Sequence, residues 1–275
     1  MFNKDELIID KVRSMTAHDL SNGQLLFRLT QLEEPTLTTT AEGDEVVDAL
    51  GSRITTLYRA KNGTFGATNS LFSSNLLAEQ FGSEKQIGGL KDFKYGNAED
   101  SSAKLTDYSY EILTIPTTGD DAGKVKLAKK ASGTIKYIYS IENNQIGTMY
   151  KAGTEVSATE FLVDNTGDVT VITVPTGLTG KVFVEYEFEN VNAMRIVNKA
   201  SEFPRAVSLI IYAYFKDVCN ENLVYSGKII VAKAKLNPEQ IEVALTSTGK
   251  HPFEFVINKD YCEEDAELFS VVISG

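Results

Sequence analysis

Two cysteines, two histidines and six prolines are all that this chain of 275 residues holds of those types, and the scarcity closes several routes to function. Cys219 and Cys262 lie far apart and build no disulfide framework; one bridge or two thiols remain open, and a reducing compartment favours the thiols. His18 and His251 have no Asp, Cys or second His at a metal-ligand spacing, which argues against a zinc site and leaves both as ordinary surface residues. No G-x-S-x-G elbow is present, and Gly88-Gly89 lacks the downstream Lys-Thr or Lys-Ser of a phosphate loop. These absences argue against an enzyme and predict no catalytic residue, no metal and no cofactor. No apolar run approaches the roughly 20 residues that span a bilayer, and the opening MFNKDELIIDKVR carries no signal-peptide pattern, so the expectation is a chain made in a cytoplasm with no membrane partner.

Positive charge is also short. Lys and Arg number 27 against 38 Asp and Glu, a formal charge of −11, which excludes a groove that holds nucleic acid by its phosphates. It is compatible with a surface past which DNA slides without sticking, because like charges repel.

What is present is a β chain. Hydrophobic residues make up 42%, enough for a core, and the length predicts two domains. The richest stretch is 46–82, VVDALGSRITTLYRAKNGTFGATNSLFSSNLLAEQFG. Residues 54–58 read as a strand, Asn62-Gly63 as a type I′ turn, and 64–68 as a weak return strand. Asn69 or Ser70 is the expected cap of a short helix with Phe72, Leu76, Leu77, Ala78 and Phe81 on one stripe, and Gly82 is its left-handed C-terminal cap.

Along the chain, the DELIIDKV segment at 5–12 is open between strand and helix. Strands are expected at 24–29 and 36–40, with Pro35 between them and the threonines of the second suited to a half-exposed edge. Glu42, Asp44, Glu45 and Asp48 read as an acidic loop without EF-hand spacing: a solvated turn, or a calcium-binding or DNA-facing surface. Residues 83–106, rich in Gly, Ser, Lys and Asp, read as a long loop or linker, and such loops are usually either functional or mobile until a partner orders them. From Tyr108 the segments YEILTIP, KVKLA, TIKYIYSI, EFLVD, VTVITVP and KVFVEYEFE recur at sandwich or barrel spacing. The last should set Phe183, Tyr186 and Phe188 against the acidic Glu185, Glu187 and Glu189. The runs 206–215 and 228–235 are apolar enough for central strands, joined near Asn220-Glu221-Asn222, and 253–257 and 268–273 add two more.

The fold class that follows is mainly β: a two-sheet sandwich or barrel core flanked by one short helix, formed by 1–106 and 190–275, with a small β-sandwich domain inserted at 107–189. Two charge clusters remain. Cys262, Glu263, Glu264, Asp265 and Glu267 read as an exposed turn or a helix N-terminus. Lys124, Lys126, Lys129 and Lys130 read as a solvated strand face, or as a contact for an acidic neighbouring subunit.

Three stretches carry a resemblance. The segment DALGSRITTLYRAKNGTFGATNSLFSSNLLAEQFG, the run from YEILTIP to TVPTGLTGKVFVEYEFE, and the end AKLNPEQIEVALTSTGKHPFEFVINKDYCEEDAELFSVVI resemble major tail tube proteins of long-tailed bacteriophages and related contractile devices. The middle run is similar to an accessory β region of virion proteins from phages of anaerobic gut bacteria. The resemblance implies a virion structural protein of the viral tail, a self-assembling homo-oligomer whose hexameric rings stack into a conduit for DNA ejection. Its partners would be copies of itself and other tail proteins, with DNA passing unbound. It implies stacking contacts from the 83–106 loop through Lys85, Lys91, Phe93, Lys94 and Tyr95, a lumen lined by Glu42, Asp44, Glu45 and Asp48, and a middle unit outside the tube. The alternatives are another virion role (capsid decoration, connector or baseplate) and, from a different class, a surface adhesion module.

Overall fold

The computed structural model describes residues 6–92, 96–99, 103–218, 220, 222–239, 241–244, 246, 249–259 and 267–274. In chain order its elements are β1 (Leu7–Asp19), β2 (Leu25–Leu29), β3 (Leu32–Val47), β4 (Arg53–Asn69), α1 (Ser74–Phe81), β5 (Lys85–Ile87), β6 (Leu90–Asp92), β7 (Gly96–Glu99) and β8 (Leu105–Thr114). There follow β9 (Lys124–Lys126), β10 (Tyr137–Glu142), β11 (Gln145–Ala152), β12 (Glu160–Asp164), β13 (Val171–Thr173), β14 (Lys181–Asn190) and β15 (Met194–Ile196). The chain ends with β16 (Ala206–Asp217), β17 (Val224–Leu236), β18 (His251–Ile257) and β19 (Ser270–Ser274). It divides into two compact units, one of residues 1–85 with 196–275 and the other of 86–195.

In the first unit an eight-stranded sheet runs β2-β1-β16-β17-β18-β4-β3, with β19 also on β17. The early and late strands therefore interleave: β1 pairs with β16 and β4 with β18, both antiparallel. Alternation decides which side faces in. Along β16, Val207, Leu209, Ile211, Ala213 and Phe215 are buried while their neighbours are half-exposed, the period-2 pattern of a strand with one core face. Both ends of the sheet meet in that core, where Met15, Phe27 and Leu29 join Phe65, Phe255 and Ile257, so the sheet curls into a nearly closed barrel.

Several local expectations fail here for identifiable reasons. Asn62-Gly63 makes no turn: β4 runs through it, with Thr40 opposite Asn62 and Gly63 flanked by Thr39 and Ile257. A Cβ on Gly63 would lie 3.2 Å from the Ile257 side chain, so this glycine serves packing rather than a reversal. Pro35 does not separate two strands but lies inside β3, where the ladder slips between Glu33 and Thr36 and Glu34 takes a φ of 50°. A residue without an N–H is tolerated at such a bulge.

The helix is shorter than the expected stripe. Its N-cap is Ser73, whose hydroxyl accepts from the Leu76 N–H; Asn69 instead ends β4 opposite His251, and Phe72 lies outside the helix, 56% exposed. Leu76, Ala78, Glu79 and Gln80 form the buried side. Gly82 does cap the C-terminus, with φ 66°, and a Cβ there would fall 2.2 Å from the Phe203 carbonyl oxygen. Both conformation and space demand glycine at that point.

Polar contacts fasten α1 to the barrel. Arg205 donates through Nε and Nη2 to the two carboxylate oxygens of Glu79 (2.8 and 2.6 Å) and through Nη1 to Asp19 (3.1 Å). The Ser21 hydroxyl and N–H, and then the Arg205 charge, hold the Asp19 carboxyl below the usual carboxylate range. Gln80 donates to the Pro252 carbonyl and faces His251 Nε2 at 2.6 Å.

His251 is not a surface residue: it is 1% exposed, and its Nδ1 has no hydrogen-bond partner. With the Gln80 amide nitrogen spent on Pro252, Nε2 donates to the Gln80 oxygen and Nδ1 is left bare, so a second proton would be buried without an acceptor. Burial accordingly pushes the imidazole below its ordinary pKa. The unfolded chain takes up this proton near pH 6.5 while the folded chain resists it. The stability present above that pH is therefore lost as pH falls toward the lowered folded value. Urea unfolding at pH 7.5 and 5.5 is expected to give a smaller pH loss for His251→Gln than for the parent. Equal losses would show that His251 is not the group responsible.

The second unit is one seven-stranded path, β8-β14-β10-β11-β12-β13-β9, with β11 and β12 its parallel step. It folds over a core in which Ile138, Val182 and Val184 from one part meet Phe161, Ile172 and Val125 from the other, as in a small sandwich. Strand β11 escaped the sequence reading. Its turn is Asn143-Asn144, with φ 51° and 62°, closing Glu142 onto Gln145, a type I′ hairpin without glycine. On β14 the buried set is Val182, Val184, Tyr186 and Phe188; Phe183 lies on the glutamate face because it shares their parity. Residues 83–106 are not a structureless loop, since they hold β5, β6 and β7. Further two-stranded sheets pair β5 with β15 and β6 with β7.

Candidate functional site

Two surfaces stand out. The first is the distal part of the β3–β4 hairpin. Beyond Gly63, β4 leaves β18 and pairs only with β3, down to Val47 opposite Arg53. The seven residues from Ala41 to the end of β3 extend about 25 Å at strand rise. Residues 38–55 are all exposed, so this ribbon has neither face covered.

The tip is nonetheless apolar. Leu50 is 91% exposed, Ile54 65% and Tyr58 72%, with Val46, Val47 and Leu57 also exposed. The turn is well built: Asp48 Oδ1 accepts from the N–H groups of Leu50 and Ser52 at 2.9 and 2.8 Å, and Gly51 takes a φ of 82°. The acidic residues thus form no loop. Glu42, Asp44 and Glu45 lie on β3 and only Asp48 belongs to the turn, while Glu45 is ion-paired with Arg53 across the ribbon. Their pairing with residues 56–60 makes them strand. A bare two-stranded ribbon is marginal in water, and an exposed apolar cluster marks an interaction site.

The edges of the first unit add to this. Val271 and Val272 on β19 are 50% and 46% exposed, and β19 pairs only with β17 among the described residues. An open edge of that kind is a template for another strand.

The second surface is the outer face of the seven-stranded sheet. Register sets Ile112, Phe183, Tyr139 and Met149 side by side across β8, β14, β10 and β11. Next to this row Tyr110 lies opposite Glu185 on one side and Tyr137 opposite Lys151 on the other, and Tyr108 lies opposite Glu187 beyond. Tyr110 stacks on Phe183 with centroids 5.7 Å apart, and Tyr139 tilts against the same ring at 6.3 Å. On the inner side the Tyr186 hydroxyl donates to Glu111; burial and that carboxylate push the phenol up to about 12. The aromatic rows were missed from sequence because strands with apolar residues on both faces blur the period-2 signal, although Y-x-Y at 108–110 and 137–139 is its trace.

The stacking candidates are not brought together. Lys85 donates to Asn75 Oδ1 at 2.6 Å and is half-buried against α1, where burial lowers its pKa. Lys91 lies on β6, and Phe93, Lys94 and Tyr95 are outside the described residues. Of the basic cluster, Lys126 pairs with Asp121 at 2.7 Å and Lys129 sits 3.7 Å over the Phe188 ring. Cys219 and the acidic 262–265 stretch are also outside the described residues. Among the described residues, no group of His, Cys, Asp and Glu could hold a metal ion, and no helix is long and apolar enough to cross a membrane. Comparison with protein-family models and with curated proteins finds no match.

Proposed function

We propose that this protein is a self-assembling structural subunit whose β3–β4 arm docks on another copy of the same chain. Within that class, the reading we favour is a tail tube subunit of a long-tailed bacteriophage: hexameric rings, stacked, forming a DNA conduit in the virion tail. The observation that carries it is the arm, a ribbon with both faces bare and an apolar tip, which has no use on a solitary molecule. A nearly closed barrel with an open β19 edge and, among the described residues, one short helix supports the reading, since neighbours in a ring would cover such edges. The charge of −11 suits a wall that repels phosphate.

Negative-stain microscopy of the purified chain, concentrated or mildly heated, tests it. Hollow tubes or six-fold rings are the expected result. Monomers at every concentration would overturn the proposal.

A further inference from the structure

The outer face of the second unit carries a cleft of about 630 Å³, bordered by Tyr108, Tyr137, Tyr139, Lys136, Glu185 and Glu187. We propose that this cleft is a binding site for a neutral saccharide chain. This goes beyond the assembly reading and does not rest on it.

The chemistry of the border makes the choice. Tyr108 and Tyr137 are 67% and 43% exposed, flat rings that offer apolar faces with a polar tip. Glu185 and Glu187 stand two residues apart on β14, both exposed on the same face as the rings, and supply acceptors for hydroxyl groups. Lys136 adds donors. A pyranose ring has this dual character, with C–H groups on its flat faces and hydroxyls around its rim. Other occupants fit worse. Two carboxylates against one ammonium disfavour a phosphate backbone, and within the border of the cleft Glu185, Glu187 and Lys136 stand between the tyrosines, unlike the charge-poor core of a protein interface. Of the border rings Tyr139 is held in place, because it rests on Phe183, which Tyr110 also stacks against, so this side chain loses little entropy on binding.

The test is affinity electrophoresis of the full chain in gels containing a soluble β-glucan, a mannan or glycol chitin, followed by calorimetry with chitotetraose, cellohexaose and mannohexaose. At least one polymer is expected to retard the protein, and the corresponding oligosaccharide to bind with at least tenfold loss in Tyr137→Ala and a several-fold loss in Glu185→Gln. Both positions are exposed, so circular dichroism should be unchanged. Absence of retardation by all three polymers would overturn the proposal, as would retardation untouched by both substitutions. If Tyr137→Ala instead altered the sedimentation of the protein without any saccharide effect, the face would belong to a protein contact and the proposal would fall. Tube formation in the same variants reports separately on assembly.

Discussion

Replacing residues 44–57 by Asn-Gly, so that Gly43 and Tyr58 are joined by a two-residue type I′ turn, is expected to abolish assembly while leaving a folded monomer. The excised segment contributes nothing to the barrel core: Phe65, Phe255, Ile257 and their partners lie beyond it, and residues 38–55 are exposed. Gly43 is already opposite Tyr58, so the shortened hairpin keeps its register. Circular dichroism and the unfolding midpoint should match the parent, whereas the rings and tubes that the proposed function expects of the parent should be missing at the same concentrations.

A single substitution grades the same effect. Leu50 is 91% exposed, and burying it against a neighbour would contribute about 1.5–3 kcal/mol per contact. Leu50→Asp removes that gain and adds a charge to be desolvated, so the concentration needed for assembly should rise at least tenfold. Tubes of unchanged length from the shortened hairpin would sink the role given to the arm, whatever the protein then proved to be.

The sequence was most legible where one periodicity ruled a segment. The stretches 206–215 and 228–235 became central strands because nearly every residue suits a sheet, and Gly82 capped the helix because only glycine satisfies both the left-handed φ and the approach of Phe203. It misled where a local signal met a tertiary demand. Asn62-Gly63 has turn chemistry, yet Ile257 needs the space of a glycine within a strand; the reversal of that hairpin lies at Asp48 to Ser52, with one glycine, and the β10–β11 reversal at Asn143-Asn144, with none. The arm was invisible for a related reason. Residues 54–58 read as an ordinary strand and 42–48 as a loop, and nothing local tells a strand that packs from one that projects, since that depends on where β18 ends. Of the chosen site residues, Glu42, Asp44, Glu45 and Asp48 do fall on the exposed ribbon, but as strand and turn; Lys85 is drawn onto α1.

The Arg205 fork sets the largest expected effect on stability. Glu79 and Asp19 side chains are each 10% exposed, and Arg205 is their shared partner at 31%. Arg205→Ala strips both carboxylates of the cation and leaves Glu79 facing the barrel without its two donors. Breaking a buried pair in this way costs about 3–5 kcal/mol; the partial exposure of Arg205 lowers the expectation to about 2–4 kcal/mol. That corresponds to a fall of roughly 5–15 °C in the midpoint of the first unit. Arg205→Lys should fall between, since an ammonium cannot reproduce the bidentate geometry. The paired variant Arg205→Met with Glu79→Leu separates loss of the cation from loss of packing. If the cost comes from stranded charge, this double variant recovers the part due to Glu79, because an apolar pair of similar volume replaces a buried ion pair at little penalty, while Asp19 keeps its Ser21 donors but not the cation. A change below about 0.5 kcal/mol for Arg205→Ala, the range of ordinary surface substitutions, would mean that α1 is held by Leu76, Ala78 and the Gln80 contacts and that the fork is incidental to the fold.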